Sequence, residues 1–188
     1  MWISSRMIVA AATILALWSQ NSSSGAPEEK EASVIRPKIE IPKSIQAEHE
    51  AIHSTLVEAT KAPGRVGAAA KTLAEVLHPH FVREEQIALP PLALLAPLAA
   101  GTSLNEAEAA EVLEMTDSLR RELPKMLEEH VRIKTAVESL RLAAIEERAP
   151  KYQQLAEQLA LHAQSEEEVL YPAAILVGDL IRARRPGK

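Results

Sequence analysis

The feature that most constrains this chain is a histidine–glutamate pattern that occurs twice. Glu48-His49-x-x-Ile52 returns 81 positions later as Glu129-His130-x-x-Ile133. His80-x-x-x-Glu84-Glu85, followed by Pro90, returns 82 positions later as His162-x-x-x-Glu166-Glu167, followed by Pro172. The chain therefore reads as one pair of elements used twice. A single amphipathic pair cannot bury its apolar face alone, whereas two pairs can close on one another.

Periodicity makes those elements helices. Apolar residues recur at steps of three and four. The first seam is Ile45, His49, Ile52 and Leu56, and the second is Leu73, Leu77, His80, Glu84 and Ile87. The third is Met126, His130, Ile133, Val137 and Leu140, and the fourth is Leu155, Leu159, His162, Glu166 and Val169. Aromatic residues are only 3% of the chain, and its 47% hydrophobic share rests largely on Ala, Leu, Ile and Val. No alternating strand runs are bounded by turn residues. The expected fold is all-α: an up-down four-helix bundle with an extra inserted helix and a C-terminal helix.

Breakers set the expected limits. Ser44 is a plausible N-cap for a first helix that Pro63-Gly64 stops, and a second spans about 66–89 before Pro90-Pro91. Ser103 and Glu106 have capping-box spacing for the inserted helix. Pro124 starts or kinks the third bundle helix, about 124–147, and Pro79 should kink the second. Pro150 opens the fourth, and Pro172 starts a last helix to about Arg184.

Residues 1–25 read as a signal peptide or an N-terminal anchor. Arg6 precedes the twelve-residue apolar run from Met7 to Trp18, and a Ser-rich stretch follows. That run is short against the roughly 20 residues of a membrane span and fits a signal-peptide core. The protein is thus expected in the periplasm or secreted, or else tethered to a membrane by this segment. Residues 26–43, charged and carrying three prolines, read as a linker, and 44–186 as the bundle domain. The net charge of −5 argues against a nucleic-acid partner, and the basic cluster Arg182, Arg184, Arg185 and Lys188 reads as a solvated tail. The absence of cysteine excludes disulfides and thiolate metal sites.

Each seam is interrupted by an ionisable residue where leucine would be expected. Burying a lone imidazole or carboxylate costs several kcal/mol unless it is paired or bound. A metal supplies that compensation, and imidazole nitrogen with carboxylate oxygen suits iron, manganese or zinc. His-x-x-x-Glu puts both groups on one helix face, a turn apart. Two such pairs plus two single histidines give six ligands: His49, His80, Glu84, His130, His162 and Glu166. That number suits two ions bridged by two carboxylates. Glu85 and Glu167 are alternative carboxylates, and His53, one turn after His49, is a candidate fifth nitrogen ligand. A rival pattern, Glu50-x-x-His53 with Glu75-x-x-His78, lies off the seams.

The segments EHEAIHSTL, HFVREEQIALPPL, EHVRIKTAVESL and HAQSEEEVLYPA resemble, in order and spacing, the motifs of the hemerythrin-like (HHE cation-binding) family. The resemblance covers about 44–175, apart from much of 92–123. It implies a non-haem di-iron centre with His49, His80, His130 and His162 as terminal ligands and Glu84 and Glu166 as bridges. It also implies O2 or another small diatomic as partner, iron or oxygen sensing, or handling of reactive oxygen or nitrogen species. Oxygen carriers of this family have a further histidine one turn before the third-helix histidine, where this chain has Met126. They also bridge with an aspartate five residues after the last histidine, where this chain has Glu167. No catalytic nucleophile or phosphate loop is evident, which argues against an enzyme. A di-iron oxidoreductase acting on peroxide or nitric oxide is the alternative, and a metal-free helical interaction module is a third reading.

Overall fold

The computed structural model describes residues 39–185. The proposed leader at 1–25 and residues 26–38 of the 26–43 linker lie outside the described residues. Six α-helices follow in order: α1 (Lys43–Ala59), α2 (Gly64–Ile87), α3 (Leu95–Ala99), α4 (Glu106–Glu146), α5 (Pro150–Ser165) and α6 (Tyr171–Arg184). A 3-10 turn, Pro90–Leu94, precedes α3, and a π-helical turn, Glu166–Leu170, joins α5 to α6. No strand occurs among the described residues.

The four bundle helices are α1, α2, the second half of α4, and α5. Short connections at 60–63 and 147–149 make α1 antiparallel to α2, and α4 antiparallel to α5. Both connections meet at one end of the bundle. There Glu147 accepts the backbone N–H groups of Arg65 at 2.6 Å and Val66 at 3.3 Å, supplying an anion to the exposed start of α2. Gly64 has φ +74°, a left-handed conformation that favours glycine, and its lack of a Cβ leaves room for Glu147 Oε1.

Some sequence expectations change. Helix α4 runs unbroken through Pro124, so the inserted helix and the third bundle helix are one 41-residue element. The proline is tolerated because it is exposed and Arg120, whose carbonyl it frees, also faces water. Pro79 also lies inside a helix, exposed on the solvent side of α2. The capping box is built by Asn105 and Glu108, two residues beyond the Ser103–Glu106 pair: Glu108 N–H donates to Asn105 Oδ1 at 2.9 Å, and Asn105 N–H to Glu108 Oε2 at 3.0 Å. The C-terminal helix opens where expected: α6 runs from Tyr171 to Arg184 with Pro172 in its first turn, where its missing N–H costs little.

The first half of α4 and α6 extend the bundle as an antiparallel pair. Leu98, Ala109, Val112, Val177 and Ile181 form its core. The approach is close at Gly178, where a Cβ would lie 2.3 Å from Thr116 Oγ1. The basic tail is tied down in part, since Arg182 pairs with Asp117, Arg185 with Glu106, and Arg184 donates to the Leu98 carbonyl at 3.1 Å.

Two apolar clusters fill the bundle. One holds Ile52, Leu56, Leu73, Leu77, Ile133 and Leu159, with others. The second holds Ile87, Leu89, Leu92, Leu119, Met126 and Tyr171, with others. On every bundle helix the seam histidine stands between a residue of the first cluster and one of, or packed on, the second. Ile45 and Ile52 flank His49, Leu77 and Ile87 flank His80 and Glu84, and Met126 and Ile133 flank His130. Leu159 and Tyr171 flank His162 and Glu166. The ionisable residues thus form one polar layer between two apolar ones.

Candidate metal centre

The six seam residues His49, His80, Glu84, His130, His162 and Glu166 are the polar content of that layer, none more than 3% exposed. Their donor atoms gather into two groups: His49, Glu84, His162 and Glu166; and His80, Glu84, His130 and Glu166. Within each group one ligand atom per residue lies within 4.8 Å of every other. Both glutamates belong to both groups, and each group takes one histidine from each half of the chain.

The glutamates are turned to serve both positions. Glu166 Oε1 lies 2.9 Å from His162 Nε2 and 3.9 Å from His49 Nε2, and its Oε2 lies 3.5 Å from His130 Nε2. Glu84 Oε1 lies 3.2 Å from His80 Nε2, while Oε2 makes no hydrogen bond within the protein. His49 Nε2, His162 Nε2 and Glu166 Oε1 likewise make none. These four atoms are one from each residue of the first group. An orphaned buried acceptor costs about 1–3 kcal/mol, so four such atoms, one on each residue of a single group, fit a bound cation.

Four outer carboxylates, half-buried or exposed, surround the layer. Each faces the Nδ1 of a histidine on a neighbouring helix. His49 meets Glu85 at 3.1 Å, His80 meets Glu129 at 3.0 Å, His130 meets Glu167 at 2.7 Å, and His162 meets Glu48 at 3.1 Å. The chain of contacts runs from α1 to α2, α4, the π-helical turn, and from α5 back to α1, closing a ring. An ionised carboxylate only accepts, so each Nδ1 carries the proton and donates it. Each Nε2 then presents a lone pair inward, the tautomer that a metal ligand needs.

Lone pairs facing one another require a cation between them. His80 Nε2 and His130 Nε2 stand 2.8 Å apart, and His162 Nε2 meets Glu166 Oε1 at 2.9 Å. Protons are the alternative to a metal. Burial opposes charge on His49, yet its contacts with Glu166 and Glu85 outweigh that and hold it up to about 9. Burial also opposes charge on His80, which Glu84 and Glu129 hold up to about 9. His162 is raised in the same way, against burial, chiefly by Glu166. Burial and the neighbouring Glu166 raise Glu84, whereas Glu166 is pulled well down, against its burial, by His130, His162 and His49. One carboxylate is therefore the standing negative charge of the layer.

The other sequence candidates lie outside both groups. Glu85 and Glu167 have side chains 25% and 27% exposed and sit in the outer ring. His53 is half-buried, and burial and the charge of His78 lower its pKa. Glu50 and Glu75 are exposed.

A family model, the hemerythrin HHE cation-binding domain, matches residues 40–174 of this 188-residue chain. The chain belongs to that family. No curated protein and no solved structure matches it. As a member of the hemerythrin family it carries, in the polar layer of its bundle, a His/Glu cluster that could hold metal.

Two parts of this hemerythrin site escape the seam reading. The outer ring depends on which glutamate reaches which helix, although Glu48 and Glu129 stood beside the seam histidines as a clue. The second part is Tyr171. The seam predicts Val169 as the buried residue after Glu166, but Val169 is 58% exposed and Tyr171 is 1% exposed. The π-helical turn adds one residue per turn, so the inward position after Glu166 moves on to Tyr171. Its hydroxyl donates to Glu84 Oε1 and lies 3.2 Å from His130 Nε2 and 3.4 Å from His80 Nε2. Burial and the charges of Glu84 and Glu166 push this phenol far up.

Proposed function

We propose that this protein holds a non-haem di-iron centre on His49, His80, Glu84, His130, His162 and Glu166. In this reading the centre binds or senses O2 or a related diatomic, or iron itself. The observation that carries the reading is the pair of overlapping four-residue groups that share both glutamates. Nitrogen and oxygen donors without sulfur suit iron, with manganese or zinc as the other fitting ions. When bound, paired iron supplies a place for a small diatomic and a reservoir of electrons. The histidines offer Nε2 inward, the outer carboxylates fix their tautomer, and the apolar clusters on both sides exclude bulk water. Phe81 stacks on His49 with ring centroids 4.1 Å apart, forming an apolar wall on the first position. A metal-free interaction module would gain nothing from four orphaned acceptors.

Sensing or redox chemistry fits better than transport. Met126, at the place of the carriers' additional histidine, is 1% exposed and packs among Leu89, Leu92 and Leu119. A thioether is a poor partner for a hard ion. Metal quantification on purified protein tests the reading directly. About two iron ions per chain is expected for six ligands shared through two carboxylates, and a folded protein that takes up no iron would refute it.

The outer ring gives a graded test. Glu85→Gln and Glu129→Gln should each weaken iron affinity by roughly 10–100-fold, as loss of a carboxylate behind a ligand histidine does. Competition with a chelator of known affinity measures this, and unchanged affinity in both variants would remove the ring from the account.

Export belongs to the same proposal, on the strength of Arg6 and the apolar run after it. Among the described residues no helix is long and apolar enough to cross a membrane. Fractionation of the native host should place the bundle outside the cytoplasm, and full-length soluble protein in the cytoplasm would contradict that.

A further inference from the structure

The two positions of the polar layer differ in one respect that the repeat does not carry. Eighty-two residues before Tyr171 stands Leu89, a fully buried apolar residue. Among the described residues, the second half of the chain alone therefore delivers a hydroxyl to the layer, and it reaches the position of His80 and His130. The oxygen lies 3.2 Å from one Nε2 and 3.4 Å from the other, which are 2.8 Å apart, and it contacts Glu84 Oε1. Donor atoms about 2.1 Å from a six-coordinate ion sit about 3 Å apart along each edge of the octahedron. The tyrosine oxygen has the spacing of a co-ligand of the two histidines. The π-helical turn is the local distortion that puts it there.

Resting on the di-iron reading above, we propose that Tyr171 supplies its phenolic oxygen as a seventh ligand, to the iron held by His80 and His130. Binding ferric iron through that oxygen displaces the phenol proton, which leaves to solvent, with no change in the oxidation state of either partner. The other iron, beside Phe81, has no such donor among the described residues, so the two ions are inequivalent. A hard anionic oxygen favours the ferric state. That bias is what a redox or sensing site needs and what reversible carriage must avoid.

The chain has two tyrosines, which makes the test clean. Tyr152 is remote from the layer, its hydroxyl 3.5 Å from Glu58 at the surface. Full-length protein loaded with ferric iron should show a visible phenolate-to-iron charge-transfer band and resonance-enhanced tyrosine modes in its Raman spectrum. Tyr171→Phe should abolish both while keeping about two irons per chain, and Tyr152→Phe should leave both unchanged. If Tyr171→Phe fails to fold, the Tyr152→Phe protein alone decides, since any phenolate band it shows belongs to Tyr171. Iron-loaded protein without the band, or a band that survives Tyr171→Phe, overturns the tyrosine assignment and leaves the di-iron reading standing. Failure to bind iron at all overturns both.

Discussion

Replacing Glu166 with alanine is expected to strip iron from both positions at once. Its two oxygens face different histidines, Oε1 toward His162 and His49 and Oε2 toward His130. Removing it takes a donor from each group and also the standing negative charge that offsets two cations. Iron content should fall from about two ions per chain to well below one. His49→Ala should do less, because it breaks only the first group, leaving about one ion in the second. His53→Ala, outside both groups, should keep the full content. Elemental analysis of the four proteins purified side by side decides it. Retention of both ions in Glu166→Ala would mean that the metal sits elsewhere.

Removing the metal should cost stability on a scale that calorimetry resolves easily. A ligand bound only by the folded state stabilises it by about 4 kcal/mol when its free concentration is a thousandfold above Kd. For a domain of this length each kcal/mol moves Tm by roughly 2–4 °C, so stripping iron should lower Tm by on the order of 10 °C. Part of that loss is recoverable by making the layer apolar. In iron-stripped protein, replacing the whole set, both glutamates together with the four histidines, by apolar residues of similar volume should raise stability by roughly 1–4 kcal/mol, as replacement of a complete buried charged group by packed apolar residues does. The same variant should gain nothing from added iron. A parent protein with the same Tm before and after chelation would defeat this account of why the residues are there.

Much of the architecture was legible because its signals are local and repeated. A histidine in the place of leucine, followed a turn later by glutamate, is visible without coordinates, and the doubled pattern fixes which helices pair. What was not legible depends on water, on backbone registration, or on the reach of side chains between helices. Pro124 reads as a break, yet its exposed carbonyl partner lets α4 run through it. Val169 keeps a perfect 3.6-residue rhythm, and the π-helical turn shifts the rhythm so that Tyr171 faces inward. Glu48 lies one residue from His49 in sequence but serves His162 on another helix, a pairing that no spacing rule specifies.

The interleaving of the two halves sets the molecularity of metal capture. Each group takes one histidine from α1 or α2 and its other histidine from α4 or α5, and neither half contains a complete group. In the intact chain, loading is first order in protein. If the connection between Gly101 and Asn105 were cut and the pieces separated, neither piece could assemble a full donor set alone, and loading would become second order, limited by their encounter. A half-length chain carrying one copy of the repeat would face the same requirement and could meet it only by pairing with another copy. Joining the copies in one polypeptide replaces that concentration dependence with a fixed local concentration, so metal occupancy no longer depends on how much of the protein is present.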